Sequence, residues 1–320
     1  MQRRPNPRNN PKPLHLQLCT MLASDSKKVL VKKFLFTEGY GYDWLAAGLV
    51  ILINFLFPTF LIAPVYRLYD AEDKTLAYPF REDTVSNLAA ALLIFLPPAG
   101  VFILACTFFR VSILDGHHAY LSVVEAFSLA SGWKRWMNLV GRLRPHWLAV
   151  LAMGDPQLIS VGRLSYPSGH TAYTFSSATV VALWLCGKLQ VFSRPSQALY
   201  LKLLLCSMPL WLATFVACTR ITDYKHDFSD VNAGSFIGIV SGFVGYSLNF
   251  HSLFSTSSNL PKVRREASPL AETREARHAY GAPAGDGEDE FVGGVDQQFR
   301  LCSELSPEPG RGSDVEEGLR

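Results

Sequence analysis

The apolar residues of this 320-residue chain are not spaced at the interval of an amphipathic helix but bunched into long runs. The run from Trp44 to Val65 has the roughly 20 mostly apolar residues that a bilayer crossing needs. A second goes from Leu88 to Phe109 and carries Pro97-Pro98, from which a kink or break near its middle is expected. Four more follow, about Tyr120 to Leu139, Ala172 to Leu189, Leu199 to Cys218 and Ala233 to Phe250. Glu125, Lys134 and Arg135 interrupt the third, and Glu125 is expected to face the interior of a bundle, as intramembrane charges usually do. The runs predict an all-α, multi-pass integral membrane protein with six transmembrane helices.

Charge orients the spans. The first 43 residues hold Arg3, Arg4, Arg8, Lys12, Lys27, Lys28, Lys32 and Lys33 and lack the apolar core of a cleavable signal peptide. The positive-inside tendency keeps them in the cytosol, and six crossings return the C-terminus there. Arg110, Lys188 and Arg194, in the short links after the second and fourth spans, agree with that placement. The links near residues 66–86, 141–171 and 219–232 then face the lumen or the outside. From about His251 to Arg320 the chain turns to Ser, Pro, Gly, Glu and Arg, a composition that cannot bury enough surface to fold. Three regions are therefore expected: a basic cytosolic segment (1–43), a membrane domain (44–250) and a disordered cytosolic tail (251–320).

The remaining composition excludes more than it adds. A net charge of +3 is too small to suggest nucleic acid. Cys106, Cys186, Cys206 and Cys218 lie within or at the ends of spans, and Cys19 and Cys302 in the tails, so no disulfide framework is indicated. No Asn-x-Ser/Thr sequon is present, and oligomeric state is not legible.

The candidate chemistry falls in the last two outward links. A phosphate ester carries about two negative charges, which a protein without metal offsets with guanidinium forks, backbone amides and hydroxyls. Arg144 and Arg220 supply forks. Pro167-Ser168-Gly169-His170 precedes the fourth span, so its free amides and the positive helix end form an anion site. Ser168 adds a hydroxyl, Gly169 admits close backbone approach, and His170 is the natural proton donor to a leaving alcohol. His226 and Asp230 are four residues apart, a spacing that stacks them on the opening turn of the sixth helix. The carboxylate would hold the Nδ1 proton and leave Nε2 free as a nucleophile. His117, His118 and His146 have no motif partner, although His146 follows Arg144 closely enough to line the site.

These residues carry a resemblance. GRLRPHW at 141–147, SYPSGHTAYTFSS at 165–177 and TRITDYKHDFSD at 219–230 resemble the three signature motifs of the type 2 phosphatidic acid phosphatase (PAP2) superfamily, and the likeness is greatest to eukaryotic lipid phosphate phosphatases. Asp43-Trp44 and YPFREDTVS at 78–86 extend it, so that it covers roughly residues 40–250. It implies a six-helix membrane bundle of the PAP2/haloperoxidase type. It also implies cofactor-free and metal-free dephosphorylation of phosphatidate and related lipid phosphates through a phosphohistidine. The family's phosphate-binding residues fall on Arg144, Ser168, Gly169 and Arg220, its acid on His170, its nucleophile on His226 and its orienting carboxylate on Asp230.

One departure bears on activity. Where the first motif normally opens with Lys, this chain has Met137. Loss of one charge-assisted hydrogen bond is worth roughly 1.5 to 3 kcal/mol, or one to two decades in rate. Lys134, one helical turn earlier, and Arg142 are the candidate substitutes. Against the phosphatase stand a pseudophosphatase that binds lipid phosphates without turnover, favoured by Met137, and a lipid phosphotransferase. Retention of His170 and His226 and the intact Arg-bearing motifs favour hydrolysis.

Overall fold

Each of the six apolar runs forms a long helix in the computed structural model, which describes residues 39–109, 111–194 and 196–262. Expectations for the basic N-terminal segment, and for the tail beyond residue 262, lie outside the described residues. The long helices are α1 (Tyr40–Leu56), α2 (Asn87–Phe108), α3 (Ile113–Met137), α6 (Gly169–Lys188), α7 (Leu199–Thr222) and α8 (Phe228–Asn249). Two short helices, α4 (Trp147–Met153) and α5 (Pro156–Gly162), lie in the link between α3 and α6. Among the described residues there is no strand, only an isolated bridge between Phe250 and Pro261.

Helices α2, α7 and α8 are long and apolar enough to cross a membrane. Leu96 and Phe108 on α2, Tyr200, Trp211 and Phe215 on α7, and Phe236 and Phe243 on α8 are exposed. Outward-facing apolar surface on this scale marks a surface made for lipid or a partner rather than water.

Several features differ from the sequence expectation, and three of them have a local reason. The first run is helical only to Leu56; Phe57–Leu61 loosens into a π-type turn and Ile62 is already extended, because Pro58 has no N–H to continue the ladder. The third helix starts at Ile113, several residues before the expected Tyr120, because Ser112 caps it by accepting from the Asp115 amide (3.1 Å). The second does not break at Pro97-Pro98. Pro98 leaves the Ile94 carbonyl without its i+4 donor, and Ser177 Oγ of α6 donates to it at 2.7 Å.

Helix α6 lies at the centre, packing on α2, α3, α7 and α8. It is rich in Ser and Thr yet almost wholly buried, because those hydroxyls turn back on the helix; Thr174 donates to the His170 carbonyl (2.8 Å) and Ser176 to the Tyr173 carbonyl (2.8 Å). Helix α8 approaches it through Gly234, Gly238 and Gly242, spaced one turn apart. A Cβ at Gly238 would lie 2.5 Å from the Ala172 carbonyl oxygen, and one at Gly234 would lie 2.7 Å from that of Ser168. Small residues at this spacing let two helix backbones meet closely in an apolar medium. The result fixes the start of α8 beside the start of α6.

Alternation of direction brings the ends of α1, α3 and α7 and the starts of α2, α6 and α8 to one end of the bundle. At the opposite end the buried Asp115 accepts from Trp184 Nε1 (2.9 Å) and pairs with Lys188, which also donates to the Asn259 carbonyl. Glu125 is buried and accepts from Asn249 Nδ2 (2.6 Å). Residues 251–262, placed with the tail by composition, lie against these helix ends; the Lys262 amide donates to the Asn249 carbonyl (2.8 Å). Cys106, Cys186, Cys206 and Cys218 are free thiols.

Candidate active site

The three motif segments meet at the end of the bundle where α6 and α8 begin. Asp227 caps α8, accepting from the Phe228 amide (2.6 Å), while Asp230 reaches back to the Asp227 amide (3.0 Å) in a reciprocal capping box. The same turn ties to α6, since the Ser168 amide donates to the Asp230 carbonyl (3.0 Å). Ser168, Gly169 and His170 therefore open α6 within reach of His226 and Asp230.

His226 does not lie on the opening turn of α8, as its spacing from Asp230 suggested. It sits in the link before the cap, its amide donating to the Arg220 carbonyl (3.2 Å). Its Nδ1 lies 3.7 Å from Asp230 Oδ2, beyond direct hydrogen-bond reach. Ser165 stands between them: its Oγ donates to Asp230 Oδ2 at 2.6 Å and lies 3.4 Å from His226 Nδ1. Asp230 is fully buried, with Oδ1 accepting from Arg142 Nη1 at 2.8 Å. Burial pushes the His226 imidazole down to about 3, against the pull of Asp230. The ring is therefore neutral at pH 7, with a lone pair on the nitrogen that faces away from the carboxylate.

Arg142, a candidate substitute for the motif lysine, is committed elsewhere. Its guanidinium pairs with Asp227 and Asp230 at 2.8 Å each and also donates to Ser229. Met137 packs against the buried cluster of Ala130, Ala172 and Ile237. Lys134 is the residue whose ammonium reaches the start of α6. A Cβ at Gly169 would come within 2.9 Å of Lys134 Cε and 3.6 Å of its Nζ.

Arg220 is almost wholly buried and paired twice, Nη1 with Asp83 and Nη2 with Asp223, both at 2.8 Å. Asp83 belongs to the link between α1 and α2, which is fastened over the site. Thr84 donates to Asp223 through its amide (2.8 Å) and hydroxyl (2.7 Å), and Tyr78 stacks on Tyr224 with ring centres 4.7 Å apart. Arg144 makes no comparable pair. Its Nε is buried without a partner, as is His170 Nε2. Burial, with Arg220 nearby, lowers the Arg144 guanidinium to about 10, still charged at neutral pH, while Asp83 and Asp230 oppose the shift.

His146 is buried and its Nδ1 donates to the Tyr224 carbonyl (2.6 Å), tying the first motif to the third. Burial depresses this imidazole to about 4, with Arg144 and Lys225 adding to the effect. His117 and His118 lie at the other end; His118 Nε2 meets Tyr40 Oη (2.6 Å) and Trp44 Nε1 donates to His117 Nε2 (3.1 Å). Sequence reasoning missed Ser165, Asp83 and Lys225. Ser165 had a signal, a hydroxyl at a fixed offset before the Ser-Gly-His turn. Asp83 lies within the 78–86 stretch that extends the resemblance, but only the fold brings that stretch onto Arg220. Lys225, whose Nζ lies 4.1 Å over the Phe80 ring, reads in sequence as a solvated loop charge.

Comparison with known proteins finds a family model and several relatives. The family model of the PAP2 superfamily matches residues 119–253. A PA-phosphatase related-family protein of Dictyostelium discoideum is 36% identical over 238 residues, covering 72% of this chain and 86% of that protein. Lipid phosphate phosphatase 1 of Arabidopsis thaliana is 31% identical over 221 residues, covering 63% and 66%. Lipid phosphate phosphatase 2 of the same plant is 29% identical over 216 residues, covering 62% and 73%. No solved structure matches the chain significantly.

Proposed function

This chain belongs to the PAP2 superfamily, and from that premise we propose that it is an integral membrane lipid phosphate phosphatase that hydrolyses phosphatidate and related lipid phosphates. The observation that carries the reading is the convergence of His226, held neutral beside Asp230, with His170 and two arginines at one end of the bundle.

The reaction takes two steps. In the first, His226 Nε2 attacks phosphorus, the bond to the ester oxygen breaks, and His170, charged once the phosphate dianion sits beside it, gives its proton to the departing alcohol. In the second, His170 takes a proton from water, whose oxygen attacks phosphorus. The P–N bond then breaks, releasing inorganic phosphate and regenerating His226. Asp230 and Ser165 hold the ring and favour the cation that develops on it. Arg144, Arg220, the Ser168 hydroxyl and the amides of Gly169 and His170 hold the non-bridging oxygens. Six crossings, with both termini cytosolic and the site on the luminal or extracellular face, complete the proposal. They rest on the charge bias of the links and on the shared end of the three motifs.

Purified protein in detergent micelles, given phosphatidate with EDTA present, should release inorganic phosphate and pass through an acid-labile phosphoenzyme. His226→Ala should do neither. Phosphate release no greater than that of His226→Ala sinks the reading. Labelling of single cysteines in the 66–86 link from the outside of sealed cells tests the orientation.

A further inference from the structure

We propose that Lys134 supplies a phosphate-binding ammonium to this site from one helical turn before Met137, beside Arg144. The inference rests on the phosphatase reading above and deepens it.

Two observations place the ammonium. Ala130, one turn before Lys134, is fully buried and packs against Ala172 and Ile237, so this face of α3 fronts α6. One turn onward along α3 the facing residue of α6 is Gly169, and a Cβ there would meet Lys134 Cε at 2.9 Å. Glycine at 169 thus makes room for the lysine stem as well as for backbone approach. The head is held by Asn138: with its amide turned to satisfy both neighbours, its nitrogen donates to the Tyr166 carbonyl (3.0 Å) and its oxygen accepts from Lys134 Nζ (2.7 Å). Asn138 is one turn after Lys134 on the same face, and Tyr166 is in the turn that leads to Ser168, so this bridge aims the ammonium at the start of α6.

Charge pairing supplies the second half of the argument. Arg142 is neutralised by Asp227 and Asp230, and Arg220 by Asp83 and Asp223. Lys225 lies over Phe80. Among the described residues no carboxylate lies within ion-pair distance of Lys134 or Arg144. Lys134 and Arg144 thus stand beside a positive helix end as cations that no carboxylate holds in an ion pair, and an incoming phosphate can take both.

The test compares wild type, Lys134→Met and Met137→Lys in micelles. Inorganic phosphate binding is read as a thermal shift, and hydrolysis of phosphatidate as kcat/KM. Lys134→Met should weaken phosphate binding and kcat/KM by about 10- to 100-fold. Met137→Lys should change either by less than about threefold, because the ammonium's place is taken; this arm stands even if Lys134→Met does not fold. Full phosphate affinity in Lys134→Met, or a tenfold gain in Met137→Lys, overturns the proposal. Wild type that binds phosphate through Lys134 but releases none from phosphatidate would instead sink the phosphatase reading and leave Lys134 in place.

Discussion

Arg220 Nη1 and Asp83 Oδ1 lie 2.8 Å apart, joining the end of α7 to a link that is remote in sequence. The carboxylate holds the donor that an incoming phosphate oxygen would take, so phosphate must displace Asp83. Asp83→Asn removes the competing charge and keeps the shape. Product inhibition by inorganic phosphate should tighten by about three- to tenfold, the size of one modest charge-assisted contact. Weaker inhibition in the variant would show that Asp83 supports Arg220 rather than competing for it.

Ser165 predicts a rate effect without a binding effect. Its hydroxyl is wedged between Asp230 and His226 and touches neither arginine. Ser165→Ala should lower the single-turnover rate of phosphoenzyme formation by about tenfold, the equivalent of one hydrogen bond. KM should move less than twofold. A KM effect larger than the kcat effect would place Ser165 among the substrate-binding groups instead.

Acid should loosen the fold through His226 and His146. In the unfolded chain each ring takes up a proton near pH 6.5, whereas burial holds them to about 3 and about 4 in the folded protein. Below pH 6.5 the unfolded state therefore binds more protons. The stability that the neutral rings contribute is fully present above that pH and is lost as pH falls toward 4, by up to about 1.4 kcal/mol per pH unit for each ring. Thermal unfolding in detergent between pH 7.5 and 5 measures this, and His146→Gln should flatten the slope. Equal slopes in wild type and His146→Gln would remove His146 from the account.

Glycine packing gives a stability contrast. Gly238→Ala pushes a methyl to 2.5 Å from the Ala172 carbonyl oxygen, whereas Gly48→Ala meets nothing within 4 Å. The first should cost about 1–3 kcal/mol and reduce activity by moving α8 against α6. The second should be neutral or slightly stabilising. Comparable melting temperatures for the two variants would refute the close contact.

Ser177 and Pro98 should be energetically coupled. Ser177→Ala strips the Ile94 carbonyl of its donor at 2.7 Å and should cost about 1 kcal/mol. In a Pro98→Ala background the restored N–H serves the same oxygen, so the cost should vanish. Additive costs in the double variant would show that the serine does not serve that carbonyl.

The sequence by itself determined the apolar runs, and with them the long helices, because helix formation in an apolar medium depends on local composition and length. It also determined the motif residues, whose types and offsets are local facts. What it left undecided was set by packing. His226 and Asp230 are four residues apart, yet a capping box starts α8 between them, and Ser165 stands at their junction. Arg142 and Lys134 read alike as spare cations; the fold gives Arg142 two carboxylates and leaves Lys134 facing the start of α6. Asp83 becomes part of the site only because α2 and α7 meet at the same end of the bundle. Pairwise contacts across the chain depend on which helix faces meet, and the glycines of α8 decide that for α6 and α8.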